Sequence, residues 1–177
     1  MTAPARPANP YPGLRPFRED EEYLFFGRES QVDTMVDKLA ATRFLAVVGT
    51  SGSGKSSLVN CGLVPALHRG LMADAGSTWR VVMLRPGNRP IRALAEALTQ
   101  ALAGPDEEGP DAAAFSPAEL VEATLRLGKL GLVDAVQMSP LNPPHKLLVV
   151  VDQFEELFRY QALATTDDAT AFVNLLL

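Results

Sequence analysis

Cysteine occurs once in these 177 residues, at position 61, and histidine twice, at 68 and 145. A lone thiol closes no internal disulfide, which fits a reducing compartment and an expected cytoplasmic location. The two histidines have no partners at triad or metal-ligand spacing, so both read as structural or solvent-exposed. No run approaches 18 apolar residues, so no segment reads as a membrane span. The first residues lack the apolar core of a secretion signal. Positive charge is also in deficit: 16 Lys and Arg against 21 Asp and Glu leave −5. That balance argues against direct nucleic-acid binding through bulk electrostatics. Disorder is not the default either, because 47% of the residues are hydrophobic and the length suffices for one sizeable core.

What is present is concentrated at residues 44–56, Phe-Leu-Ala-Val-Val-Gly-Thr-Ser-Gly-Ser-Gly-Lys-Ser. An apolar segment expected to be a strand runs into G-x-x-x-x-G-K-S, the pattern of a nucleotide phosphate-binding loop. A triphosphate is well solvated in water, so a protein that competes for it needs many donors in a small volume. Inward-pointing main-chain N–H groups form such a nest, and the following helix N-terminus adds partial positive charge. The expected cradle is Gly49, Thr50, Ser51, Gly52, Ser53, Gly54, Lys55, Ser56 and Ser57. The glycines let the backbone approach the phosphates without a Cβ in the way. Lys55 is expected at the β- and γ-phosphates, and the Ser56 hydroxyl on Mg²⁺. Linkers rich in Gly and Ser do not directly follow Phe-Leu-Ala-Val-Val, which disfavours a flexible spacer.

The rest of the chain alternates strands and helices. Residues 1–22 form a Pro-rich N-terminal segment, extended at least to residue 17, and 23–177 are the expected nucleotide-binding domain. Val32, Met35, Val36, Leu39 and Ala40 predict one helical face over 29–41. A helix follows the loop, from about Ser56 to His68, with Cys61 among its apolar residues as a small buried hydrophobe. Trp79–Leu84 predicts a second strand, ended by Pro86-Gly87. Pro90 opens a helix with Ile91, Leu94, Leu98 and Leu102 as its stripe. Residues 104–113 read as an acidic surface loop. Ser116-Pro117-Ala118-Glu119 is a capping box, with Gly128 as an interruption and a second helical piece to about 138. Pro140, Pro143 and Pro144 force a loop. Lys146–Val151 is a third strand, continuous in its apolarity as for a parallel strand buried on both faces. Helices are expected near Phe154 and from about 167 to the end, the latter capped by Thr166. The pattern is α/β with a parallel sheet, a three-layer nucleotide-binding fold incomplete at the C-terminus.

Leu147–Val151 ends in Asp152, where a phosphate-loop enzyme holds its metal. Ligands of such sheets lie beyond the carboxyl ends of the parallel strands, so Asp152 is expected to share Mg²⁺ with Ser56. Glu155 and Glu156 follow closely, and either is placed to orient or deprotonate an attacking water. Glu156 is the preferred candidate. The competing reading is that helix first turns favour acids through the dipole.

Four separated motifs in order resemble one family. They are Asn9–Phe17 (Asn-Pro-Tyr-Pro-Gly-Leu-Arg-Pro-Phe), Phe25-Phe26-Gly27-Arg28-Glu29, Arg43–Ser56 with Leu63-Val64-Pro65-Ala66-Leu67 behind it, and Val150–Phe158. Together they resemble the bacterial novel STAND NTPase domain over roughly 9–160. The acronym denotes signal-transduction ATPases with numerous domains, similar to AAA-type machines and often followed by WD-repeat propellers. The resemblance implies an ATP/ADP-dependent switch that self-associates when ATP-bound, and adenine contacts from Phe26, Gly27 and Arg28. It also implies a further strand between those of the phosphate loop and of Asp152. With that strand, a helical lid and a winged helix expected after residue 177, the chain reads as part of a longer protein with C-terminal sensor or repeat domains. Without that strand, 44–48 and 146–151 either pair directly or leave unpaired backbone.

The leading expectation is therefore a regulatory ATPase with slow turnover, since no internal arginine finger is evident and Arg159 reads as a surface residue. A non-catalytic scaffold stabilised by nucleotide and a GTPase are the alternatives. The guanine-reading Asn-Lys-x-Asp motif is absent from these residues.

Overall fold

The computed structural model describes residues 13, 15–103, 115–139, 145–160 and 166–177. Most of the Pro-rich start, the acidic 104–113 segment and the loop with Pro140, Pro143 and Pro144 lie outside the described residues. The chain divides into two compact units, Met1–Ser77 and Thr78–Leu177.

In the first unit a 3₁₀ turn, Glu19–Leu24, precedes α1, Glu29–Thr42. α1 buries Val32, Met35, Val36 and Leu39, while Ala40, at the edge of the predicted stripe, is exposed. Arg43 adopts a left-handed conformation, φ 57°, and its N–H caps the Leu39 carbonyl. The helix behind the loop is composite: α2, Lys55–Leu58, a π-helical turn, Val59–Leu63, and α3, Val64–His68. Pro65 explains the widening, since it lacks the N–H for an α-type bond and its ring crowds the preceding turn. This unit's core is Val32, Met35, Val36 and Leu39 with Cys61, Leu63, Val64, Ala66 and Leu67. Gly62 permits the close approach, because a Cβ there would meet Val32 Cγ2 at 2.5 Å.

The second unit is built on β1, Trp79–Leu84, and β2, Lys146–Val151, parallel and in register from Trp79↔Lys146 to Leu84↔Val151. Between them run α4, Pro90–Leu102, α5, Pro117–Leu125, and α6, Gly131–Gln137. α7, Glu156–Tyr160, and α8, Thr166–Leu176, follow. Val82, Leu84, Ile91, Leu94, Leu98, Leu125 and Phe172 form the core, with Leu147, Val149 and Val151 packed against it. The strand expected to be buried on both faces is half-buried on both: Leu147, Val149 and Val151 toward this core, and Leu148 and Val150 on the other face. Arg126 ties α5 to α8 through Asp168, Nη1 to Oδ1 at 2.8 Å.

The predicted capping box is present. Ser116 Oγ accepts the Glu119 N–H at 3.3 Å, and Glu119 Oε2 accepts the Ser116 N–H at 2.7 Å. Ser116→Ala is expected to lower stability by about 1 kcal/mol in urea denaturation, without changing the denaturant slope.

One expected strand is not formed. Phe44–Val48 runs into the loop without strand pairing, with Phe44 57% and Val48 92% exposed. A strand is a relation between segments, and among the described residues the sheet contains only β1 and β2.

Candidate functional site

The loop in the first unit is shaped by its glycines. Gly52 and Gly54 lie at φ +76° and +85°, where a side chain would be strained. A Cβ on Gly49 would crowd the Ser53 hydroxyl at 2.9 Å. The Ser53 N–H donates to the Thr50 carbonyl at 3.2 Å, closing a turn, and Leu58 N–H to Gly54 O at 2.8 Å starts the helix. Lys55 Nζ folds back onto the loop and donates to the Gly49 and Thr50 carbonyls at 2.9 and 3.0 Å. Its ammonium thus stands inside the turn that the motif predicts as the phosphate cradle, and residues 49–54 are exposed to solvent.

Ser57 is different. It is buried, and its hydroxyl accepts the Phe17 N–H at 3.1 Å. Asn60 Nδ2 and Cys61 Sγ donate to the Phe17 and Arg18 carbonyls at 3.0 and 2.9 Å. Positions 57, 60 and 61 share one helical face, so this face fastens the segment around Phe17 to the loop's helix. Burial, reinforced by the nearby acids, pushes the Cys61 thiol up to about 11, consistent with its role as a packed hydrophobe. His68 faces Glu19, with Nδ1 3.4 Å from Oε1.

The same segment carries a perturbed carboxyl. Arg15 pairs with both oxygens of Glu21 at 2.5 and 2.6 Å, and the Arg18 N–H adds a bond at 2.9 Å. These contacts hold the Glu21 carboxyl at about 2 against an ordinary 4.5. A depressed pKa stabilises the fold above the ordinary value, and that contribution is lost as pH falls from about 4.5 through about 2. An NMR titration is expected to find Glu21 near 2, rising toward 4.5 in Arg15→Ala.

Phe26, Gly27 and Arg28 precede α1. Phe26 is 76% exposed, Gly27 has φ +80°, and its N–H donates to Glu29 Oε1 at 3.0 Å. Phe26 and Arg28 border an open cavity of about 680 Å³ whose other lining residues include Glu29, Val32, Cys61 and Gly62.

In the second unit the ladder places the acids. The Asp152 N–H continues the pairing onto Leu84 O at 2.9 Å, one step past Leu84↔Val151. Gln153 then takes φ 56°, unusual for a residue with a side chain, and the chain turns into α7. Asp152 Oδ1 accepts the Gln153 N–H at 3.1 Å, while Oδ2 lies 3.3 and 3.4 Å from Arg85 Nη2 and Nε. Glu156 Oε2 accepts the Gly87 N–H at 3.1 Å, and Glu155 is exposed. The turn after β1 therefore holds both Asp152 and Glu156. The sequence offered Pro86-Gly87 only as a strand terminator; no spacing rule pairs Arg85 with a residue so distant along the chain.

The family model for Novel STAND NTPase 1 matches residues 10–177. The chain belongs to the novel STAND NTPase 1 family. As a STAND-type NTPase module it has a mixed α/β architecture, in agreement with the parallel β1–β2 pair. No curated protein and no solved structure matches it. Among the described residues no helix of this STAND NTPase is long and apolar enough to cross a membrane. Nor do three or more His, Cys, Asp or Glu side chains there form a metal-binding group. Its candidate metal donors, the Ser56 hydroxyl and the Asp152 carboxylate, are hard oxygens. Each is a donor of the kind that Mg²⁺ takes alongside water and phosphate ligands.

Proposed function

We propose that this STAND NTPase module binds ATP or ADP with Mg²⁺, hydrolyses ATP slowly and acts as a nucleotide-dependent signalling switch within a three-layer P-loop fold. The observation that carries the reading is the loop itself: glycines at positive φ, a helix starting at Lys55, and the Lys55 ammonium held within the turn. Main-chain N–H groups from Thr50 to Ser57 cradle the phosphates, the Ser57 side chain being engaged with Phe17. Lys55 exchanges its two carbonyl partners for phosphate oxygens. The Ser56 hydroxyl of the first unit and the Asp152 carboxylate of the second are each candidate oxygen donors to Mg²⁺, which would neutralise charge on the phosphates when bound. Glu156 takes the proton of the attacking water; its hydrogen bond to Gly87 holds the side chain in place, as a general base requires. Glu155, which is exposed, is the second candidate for that step. Phe26, Gly27 and Arg28 contribute the adenine contacts, supported by the cavity that Phe26 and Arg28 border. Family membership supports the switch role, self-association in the ATP state and coupling to C-terminal sensor or repeat domains.

Calorimetric titration with ATP, ADP and GTP, each with and without Mg²⁺, tests the reading. Magnesium-dependent uptake of adenine nucleotides in preference to GTP is the expected result. Tight uptake of GTP alone would assign the site to a GTPase. Binding without any turnover would leave a scaffold whose surface nucleotide merely stabilises.

A further inference from the structure

The segment around Phe17 is fixed to the helix behind the phosphate loop, entirely within the first unit. Ser57 Oγ accepts the Phe17 N–H at 3.1 Å, Asn60 Nδ2 donates to the Phe17 carbonyl at 3.0 Å, and Cys61 Sγ donates to the Arg18 carbonyl at 2.9 Å. Ser57 is the third residue of α2, whereas Asn60 and Cys61 belong to the π-helical turn. Residues 15–18 therefore bridge the junction between two helical pitches. Beyond them, the 3₁₀ turn Glu19–Leu24 is tied to the far end of the same composite helix, Glu19 to His68 at 3.4 Å and Glu22 to Arg69. Arg15 closes the segment on itself through both oxygens of Glu21. Among the described residues Ser57 is the only buried polar one, and its hydroxyl is committed to this contact.

We infer that this strap positions the phosphate loop: by holding Ser57, Asn60 and Cys61 it fixes the rotation of the helical turn that carries Lys55 and Ser56, and so raises nucleotide affinity. The inference rests on the proposed phosphate cradle and adds Ser57 to it as a positioning side chain. Successive helical residues are turned by about 100°, so fixing the third side chain of α2 fixes the directions of the first two. With four residues, α2 is too short to hold its own direction. Next to a wider π-turn it is free to swing unless a second element spans both. With the strap in place, Lys55 and the loop's N–H groups are ordered before nucleotide arrives, and binding does not bear that cost. With the strap lifted, the ligand must order them, and affinity falls in proportion to the fraction of molecules whose strap is closed.

The test pairs ATP affinity, measured by calorimetry, with hydrogen exchange of the Phe17 amide. Ser57→Ala is expected to weaken ATP and ADP binding about three- to tenfold, the range open to one hydrogen bond, at a temperature where melting curves show the variant folded. Asn60→Ala releases the Phe17 carbonyl instead and is expected to fall in the same range. The double variant is expected to lose less than the product of the two, because both side chains hold one residue. In the wild type, ATP is expected to slow exchange of the Phe17 amide by about the same factor, since coupling between two sites is reciprocal. The Val36 amide, inside α1, is the reference for exchange by global unfolding. Should Ser57→Ala fold poorly, Asn60→Ala and the wild-type exchange carry the decision. Unchanged affinity in the folded variants would make the strap a structural brace alone and overturn the inference. So would a Phe17 amide that ATP leaves untouched, or one slowed by the same factor as Val36. A wild-type protein that takes up no ATP would instead overturn the cradle reading, and the strap's role with it.

Discussion

Lys55→Ala is expected to lower the affinity for ATP and ADP by at least about 100-fold, with little change in thermal stability. The argument rests on what the ammonium touches before and after the ligand arrives. In the structure it donates to two carbonyls of an exposed loop, Gly49 and Thr50, and water can replace it there. With nucleotide it makes charge-assisted hydrogen bonds to phosphate oxygens, which are worth about 1.5–3 kcal/mol, and a Coulomb contribution adds to them. A loss near 3 kcal/mol corresponds to roughly 100-fold in affinity. Calorimetry gives the affinity and a melting curve without ligand gives the stability. Undiminished uptake by Lys55→Ala would remove the basis for the proposed phosphate cradle.

Glu156→Gln is expected to reduce ATP turnover by about 10²- to 10³-fold while nucleotide affinity stays within a few-fold of wild type. An amide is nearly isosteric with the carboxylate, and its oxygen can still accept the Gly87 N–H, so the turn after β1 retains its anchor. What the amide lacks is the basicity needed to take a proton from water. Glu155→Gln, at an exposed position, is the paired comparison. Turnover lost in Glu155→Gln and kept in Glu156→Gln would reverse the assignment, making Glu156 a positioning residue for the turn. Single-turnover measurements with saturating ATP separate the two outcomes from any change in binding.

The capping box at Ser116, the stripe Ile91–Leu94–Leu98 and the apolar runs 79–84 and 146–151 were all legible in the sequence. Each depends on residues within a turn or two of one another, or on alternation along a single segment. Positions whose state depends on distant partners were not. The exposure of Phe44 and Val48 cannot be read from an apolar run, and that segment is unpaired although its composition suits a strand. Ser57 looked like one more hydroxyl of the phosphate loop, yet it is buried and its hydroxyl accepts the Phe17 N–H. One continuous helix was expected from about Ser56 to His68, and only the backbone revealed the π-helical turn, Val59–Leu63, that accommodates Pro65.

Local order and chemical identity are properties of neighbouring residues, so the amino-acid order by itself determined the loop motif, the strand ending in Asp152 and the family to which they belong. Strand register and helix packing join residues far apart along the chain. They alone decided that Arg85 meets Asp152, that Gly87 holds Glu156, and that the strap around Phe17 is fastened to the helix behind the loop. Such contacts arise from the free energy of the whole folded arrangement, which no short window of sequence contains.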